Sequence, residues 1–205
     1  MKSRSKRPAH LGRTEYELLY SLLEDVTPLN QDCGDLCGKI CCRGLTQESG
    51  MYLFPGEEVM FGSRTDLTWC RIETHDVAIR QFCPLWEGRI KSVGFLVCEG
   101  ECPRHLRPLA CRLFPLVAVA HSFCPTLDLP DPCVYHIDVI LDPDAAFICP
   151  LVRHASLTQL NPTFVHACRQ AYSVLARDPL ILADILWSTE RRKADTLMWS
   201  KFFGR

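Results

Sequence analysis

The sequence lacks an excess of charge of either sign and lacks any long apolar run. It has 23 Lys and Arg residues against 24 Asp and Glu residues, a balance that argues against duplex DNA or another polyanion as the main partner. The longest charge-free stretches, 113–127 and 154–168, have 15 residues each and are too short for a membrane-spanning helix. We therefore expect no membrane partner and find no strong case for a nucleic-acid partner.

The first residues lack the features of an export signal. Several Lys and Arg residues precede the first acidic residue, Glu15, but no apolar segment follows them. We expect residues 1–13 to form a disordered basic tail, with residues 14–205 as a single domain, and we expect the protein to be cytoplasmic.

Several motifs of known enzymes are also missing. The sequence contains no G-x-G-x-x-G, no G-x-x-x-x-G-K-[ST], no H-E-x-x-H and no G-x-S-x-G. It contains no Cys-x-x-Cys, so the spacings of zinc knuckles, thioredoxin-like motifs and bacterial ferredoxins are excluded. No substrate can be deduced from the residues.

What the sequence does have is cysteine, 13 in 205 residues. The number is odd and no export signal is found, so a disulfide framework is not expected. Seven of these cysteines fall in two short windows that are rich in Gly, Pro and charge, which is unlike the scattered cysteines of a packed core. We predict that these seven bind a metal: Cys33, Cys37, Cys41, Cys42, Cys98, Cys102 and Cys111.

The other six cysteines have different surroundings. Four of them lie among apolar or turn residues and are interpreted as inert thiols: Cys70, Cys124, Cys133 and Cys168. Cys83 and Cys149 are each followed by Pro, and the sequence leaves open whether they bind a metal.

The first window repeats a Cys-Gly-x-x unit and ends with Cys41-Cys42. A glycine after a ligand allows a positive φ and brings backbone N–H groups close to the sulfur. Because adjacent side chains tend to point apart, the pair is expected to serve two metals, or one metal and one bridge, or to include a redox thiol. The three-residue gaps favour an iron–sulfur cluster over zinc.

The second window carries three arginines, Arg104, Arg107 and Arg112. Four thiolates around Zn²⁺ or a [4Fe–4S]²⁺ cube leave a net charge near −2, which these arginines would offset. The alternative is that they are simply exposed to solvent. His105 is a candidate ligand or a donor to one, against the alternative of a surface residue.

Helical and strand patterns flank these windows. Thr14–Glu17 is a capping box at the start of an apolar repeat and predicts a helix over 14–26. Asn161 and Asp178, each followed by Pro, predict the starts of two C-terminal helices. Three further segments have the pattern of strands: Val93–Cys98, Leu116–Phe123 and Val134–Leu141.

The remaining segments complete the expected architecture. Residues 29–50 are predicted to be a loop, and 50–58 a short strand that enters a helix. Glu57 and Glu58 are interpreted as compensating the dipole of that helix. The predicted fold is α+β, a single domain with a small antiparallel sheet, N- and C-terminal helices and irregular metal-binding cysteine loops.

The cysteine windows resemble the YkgJ-like cysteine-cluster family, which is described as a zinc- or iron-chelating domain with a Cys-x-x-Cys-x-x-Cys-Cys signature. The first four window cysteines take the places of that signature, with gaps of three residues in place of two. Cys102, Arg107-Pro108 and Cys111 resemble the downstream elements of the family. The resemblance covers residues 30–151 and implies a bound metal without a known reaction.

The leading hypothesis is therefore a cysteine-cluster protein in which loops 29–50 and 98–112 meet around an iron–sulfur cluster, of the [4Fe–4S] type among others, or around zinc. One alternative is a redox or modifying enzyme that uses an iron–sulfur cluster and an electron-transfer partner. Another is a zinc-stabilised interaction module that binds a protein partner through its aromatic C-terminus.

Overall fold

In the computed structural model, residues 11–43, 50–62, 67–76, 90, 92–99, 102–123 and 134–203 are described. Within them the α-helices are α1 (Arg13–Leu22), α2 (Cys33–Cys37), α3 (Ile40–Arg43), α4 (Leu109–Leu113), α5 (Pro150–His154), α6 (Pro162–Leu175) and α7 (Pro179–Phe203). The strands are β1 (Gly50–Tyr52), β2 (Cys70–Asp76), β3 (Ser92–Cys98), β4 (Leu116–Phe123) and β5 (Val134–Leu141). Short 3₁₀ helices cover Glu57–Met60, Arg104–Leu106, Pro143–Ala145 and Leu157–Gln159. The mixed α+β fold class is confirmed.

The strands form two antiparallel sheets where the sequence predicted one. In the first sheet β3 lies between β1 and β2, and in the second β4 pairs with β5 along its full length. The three predicted strands are present, and two of them have the predicted bounds. Strand β2 was missed because its residues are mostly polar and its burial is low.

A continuous core joins the helices to both sheets. Helix α6 begins where Asn161 and Pro162 predict it, and the Asn161 side chain accepts a 2.9 Å hydrogen bond from the N–H of Thr163. Its apolar face packs against β5, and the Tyr172 hydroxyl donates to the carbonyl of Leu116 in β4 at 3.2 Å.

The long C-terminal helix closes the other side of the second sheet. Helix α7 begins after Asp178, as predicted, and the Asp178 carboxylate accepts a hydrogen bond from the N–H of Leu180. The Thr189 hydroxyl accepts a 3.0 Å bond from the N–H of Ala120 in β4. The side chains of the last aromatic residues, which sequence reasoning considered as a docking surface, lie outside the described residues.

The first helix starts and ends earlier than predicted. Helix α1 begins at Arg13, and the Glu15 carboxylate accepts a 3.0 Å hydrogen bond from the N–H of Gly12, so the cap lies two residues before the predicted Thr14. It ends at Leu22, not at Val26. Residues 1–10 lie outside the described residues, whereas Leu11 is buried in the core, so the last part of the predicted tail belongs to the folded domain.

The cysteine segments are more ordered than the predicted loops. Within 29–43, helices α2 and α3 replace the expected irregular chain. No helix among the described residues is long and apolar enough to cross a membrane.

Candidate metal centre

A pocket of about 130 Å³ opens between α1, the α2–α3 segment, the end of β3 and α4. Six of its 19 lining residues are cysteines, against 13 of 205 in the whole chain, so the pocket wall is strongly enriched in thiols. These six are Cys33, Cys41, Cys42, Cys98, Cys102 and Cys111. The rest of the wall is mainly apolar, from residues such as Leu23, Val26, Met51, Phe114 and Ile148, with three arginines.

The six thiols come from three separate segments of the chain, as the predicted meeting of the two windows requires. Of the seven predicted ligands, Cys37 does not line the pocket. Its sulfur lies 3.6 Å from the carbonyl oxygen of Cys33, one helical turn earlier. Cys37 is close enough to Cys33 to contribute to the raised pKa of that thiol, so it lies next to the pocket cysteines without lining the cavity.

A left-handed turn separates the first pocket cysteine from the next two. Gly38 ends α2 with φ +64°, and Lys39 follows with φ +57°. Only this turn lets α3 start in a new direction, which brings Cys41 and Cys42 to the pocket. The prediction of a positive φ after a cysteine is thus confirmed at Gly38, and it is wrong at Gly34, which lies inside α2 because the Asp32 carboxylate caps that helix through the N–H of Gly34.

The adjacent Cys41 and Cys42 both line the pocket and do not point apart as expected. Their interaction raises the pKa of Cys41 and lowers that of Cys42 below its usual value, so that only one of the two ionises readily. The positive charges of Arg107 and Lys39 lower the pKa of Cys42 further. Cys42 is therefore the pocket thiol that most readily becomes a thiolate.

Burial has the opposite effect on the other pocket thiols. It raises the pKa of Cys33 to about 11 and that of Cys102 to about 12, and it also raises the pKa values of Cys98 and Cys111. Arg107 opposes this rise at Cys33 and Cys102. Without a cation in the pocket these thiols are mainly protonated and form thiolates only as a minor fraction, since desolvation penalises an unpaired thiolate.

The three arginines of the second window all line the pocket, so the alternative of simple solvent exposure is wrong for them. Two of them are held by backbone carbonyls. Arg104 donates to the carbonyls of Glu24 and Val26, and Arg112 donates to those of Tyr20, His105 and Arg107. The Arg112 guanidinium also lies 4.5 Å from the centre of the Tyr20 ring.

Arg107 is different from its two neighbours. Its buried Nε has no hydrogen-bond partner within the described residues. A buried donor without a partner is rare in folded proteins, because leaving it unpaired costs about 1–3 kcal/mol. Arg107 lines the cavity, and its positive charge lowers the pKa values of Cys33, Cys42 and Cys102, so the residue favours an anionic group there.

The helix that carries Cys111 is held in place by Glu57, which does not itself line the pocket. This carboxylate is fully buried and accepts hydrogen bonds from the Tyr20 hydroxyl at 2.7 Å, the N–H of Leu109 at 2.7 Å and the N–H of Phe54 at 2.9 Å. Glu57 lies in the first turn of a short 3₁₀ helix, as predicted, and in addition binds Tyr20 and Leu109, which are far away in sequence and which no local pattern reveals.

Two cysteines outside the predicted set lie next to pocket cysteines. Cys149 is buried, and its charge contributes to the raised pKa of Cys33. Cys70 was predicted to be inert, yet it pairs with Cys98 across the β2–β3 ladder and its charge acts on Cys102. Cys168, by contrast, is wholly buried in the core of α6, as predicted. Cys83, Cys124 and Cys133 lie outside the described residues.

His105 does not join the thiols. Its side chain is exposed and is not part of the pocket wall, and only its backbone carbonyl takes part, as an acceptor for Arg112. The surface alternative therefore describes this histidine better than a ligand role does.

The separation of the thiols and the size of the cavity indicate whether the pocket fits a single metal ion or a larger cluster. Within the described part of the chain, no three His, Cys, Asp or Glu side chains converge tightly enough to hold one metal ion as they stand. The cavity is about ten times the roughly 10–15 Å³ that holds one water molecule on the same measure. In an iron–sulfur cube each thiolate binds a different iron, so its ligands are further apart than those of one tetrahedral ion.

Comparisons of the chain with protein-family models, with curated proteins and with solved structures found no match. The resemblance of the cysteine windows to the YkgJ-like family therefore stays a prediction.

Proposed function

We propose that this protein binds an iron–sulfur cluster in the cysteine-lined pocket. The observation that carries the proposal is the gathering of six free thiols from three chain segments around one cavity whose wall also contains three arginines. Thiolates are the usual protein ligands of such clusters, and hydrogen bonds to the sulfurs tune their potential.

The ligands differ in how well they suit the role. Cys42 is closest to ionisation, and Cys98, Cys102 and Cys111 from the other two segments line the same pocket. The pKa of Cys41 is raised by its interaction with Cys42, so Cys41 stays protonated and suits a donor role beside a ligand. Six thiols thus supply the four ligands of a cubane and leave two for hydrogen bonding.

The wall also suits the charge of such a cluster. Four thiolates around a [4Fe–4S]²⁺ core carry a net charge near −2. Arg104 and Arg112 are held in place by backbone carbonyls, and Arg107 adds a third positive charge to the same wall. When bound, a cluster would supply one-electron transfer or an open iron site, and the chain itself supplies a cationic, mainly apolar shell.

The test is anaerobic reconstitution of the metal-free chain with ferrous iron and sulfide. The cysteines of each segment are changed, as Cys42→Ser, as the double variant Cys98→Ser/Cys102→Ser and as Cys111→Ser, and Cys168→Ser serves as the control on the buried face of α6. The proposal expects iron and sulfide in the wild type and in the control, and loss of most of the bound iron in the three pocket variants.

Two results would overturn this proposal. The first is equal iron and sulfide in the pocket variants and in the control. The second is a chain that takes up zinc and no iron or sulfide, which would replace the cluster with a structural zinc site and favour an interaction module.

A further inference from the structure

Cys70 and Cys98 lie directly opposite each other in the antiparallel ladder of β2 and β3. One step beyond them, the N–H of Glu99 donates to the carbonyl of Trp69 at 2.8 Å. Hydrogen-bonded and non-hydrogen-bonded pairs alternate along such a ladder, so Cys70 and Cys98 occupy a non-hydrogen-bonded position. Opposite Cα atoms are closest there, roughly 4.5 Å apart.

This position allows a covalent bond between the two sulfurs. Side chains that face each other in a non-hydrogen-bonded pair lie on the same face of the sheet with their Cβ atoms in close approach. A Cα separation of roughly 4.5 Å falls at the short end of the range that disulfides adopt.

The two thiols differ in access. Cys98 is half-buried and lines the open pocket, whereas Cys70 is 5% exposed and lies behind it. A small reagent that enters the pocket therefore reaches Cys98 first. Cys70 then stands where a second thiol can attack the sulfur of Cys98.

We propose that Cys70 and Cys98 form a thiol–disulfide exchange site that reacts with low-molecular-weight disulfides of the glutathione type. The Cys98 thiolate attacks one sulfur of the small disulfide, its S–S bond breaks, and one small thiolate leaves. The Cys70 thiolate then attacks the Cys98 sulfur, and the second small thiolate leaves. Two protein thiols are oxidised to one disulfide, one small disulfide is reduced to two thiols, and the two protons from the protein pass to those thiols.

Once this disulfide has formed, Cys98 is no longer a free thiol that could bind a metal. If the pocket holds a cluster through Cys98, the oxidised chain therefore takes up less iron. This consequence rests on the proposed function. The exchange itself does not, because it needs only the two strands and a small disulfide.

The test uses the metal-free full chain, incubated without oxygen with oxidised glutathione, alkylated and digested with trypsin. The expected product joins the peptide of residues 65–71 to that of residues 92–104. The second peptide carries both Cys98 and Cys102, so two variants separate them. The cross-link persists in Cys102→Ser and is lost in Cys98→Ser.

A further variant tests the order of the two steps. In Cys70→Ser no second thiol can displace the small thiolate, so glutathione remains attached to Cys98, whereas Cys168→Ser behaves as the wild type. A cross-link that maps to Cys102, a Cys70→Ser chain without glutathione on Cys98, or no cross-link at all would overturn the inference. Iron uptake is measured on separate samples, so this inference and the cluster proposal can fail independently.

Discussion

The carboxylate of Glu57 accepts a hydrogen bond of 2.7 Å from the backbone N–H of Leu109, the first residue of the helix that carries Cys111. The same carboxylate oxygen accepts the Tyr20 hydroxyl from α1, and the other accepts the N–H of Phe54. One buried side chain therefore fixes α4 relative to α1 and to the segment after β1. The position of Cys111 in the pocket depends on it.

Glu57→Gln should destabilise the fold. The carboxylate accepts three hydrogen bonds, from the Tyr20 hydroxyl and the N–H groups of Phe54 and Leu109. A glutamine keeps only one acceptor oxygen, and its NH₂ group is itself a donor, so at least one of the three donors loses its acceptor. A buried unsatisfied donor costs about 1–3 kcal/mol, which urea unfolding would measure. The matched control is Glu58→Gln, where the carboxylate is half-buried and accepts one 3.3 Å bond from Gly94, and we expect a smaller loss there.

The effect of Glu57→Gln should also depend on pH. Burial raises the pKa of Glu57, and its hydrogen bonds only partly oppose this. A carboxyl whose pKa is higher in the folded chain stabilises the fold fully below the ordinary pKa of 4.5, and this contribution falls as pH rises through the folded value. Since glutamine does not titrate, the destabilisation should be largest in acid and shrink with rising pH. A difference that grows with pH would contradict the assignment.

Arg107→Gln should weaken metal binding without unfolding the chain. The change removes the unpaired buried donor. It also removes a positive charge: burial raises the pKa of Cys102, and Arg107 opposes that rise. Losing a hydrogen-bonding partner of a metal ligand typically costs about 10–100-fold in metal affinity. Iron retention against a chelator measures the loss, which should diminish at higher pH as the thiols ionise. Arg177→Gln, at an exposed position outside the pocket, is the control and should retain iron like the wild type.

Gly38 tests whether the left-handed turn places the last two cysteines of the first window. A Cβ at Gly38 would meet no atom within 4 Å, so a substitution acts only through its φ of +64°. Asn adopts this conformation readily, whereas a β-branched residue does not, at a cost of roughly 1–2 kcal/mol or more. Gly38→Asn should therefore keep the iron content and Gly38→Val should lower it. Equal iron in the two variants would mean that the turn is not needed.

Metal removal should loosen the cysteine segments and leave the rest of the fold intact. The apolar core joins α1, α6 and the second sheet, while α2 and α3 contribute none of its buried residues. Without a metal to join them, residues 29–43 and 102–106 should exchange amide hydrogens faster. The β4–β5 pair and α6 should keep their protection in the same hydrogen-exchange experiment. Uniform loss of protection would contradict this division.

The sequence predicted those parts of the fold that local rules decide. Asn161 followed by Pro162 starts α6, and the alternation in Val134–Leu141 gives β5 its bounds, because caps and periodicity act over a few residues. The capping of α1 was placed wrongly at Thr14, since a neighbouring Gly12–Glu15 pair serves equally well.

The parts that could not be predicted depend on contacts between distant residues. Cys70 looks like a core thiol in sequence, and only the register of β2 on β3 shows its neighbour Cys98. Glu57 has no local signal for its partners on α1 and α4. The windows predicted that thiols gather, but the exclusion of Cys37 from the cavity follows from the helical turn of α2, which the Gly-rich sequence concealed.

The most direct measurement is elemental iron, zinc and acid-labile sulfide analysis of the wild-type protein purified without oxygen, together with its absorption spectrum. The account predicts iron and sulfide in near-equal amounts and a broad absorption band in the visible range from thiolate-ligated iron. A colourless protein that contains zinc and no sulfide, or one that contains no metal at all, would contradict it.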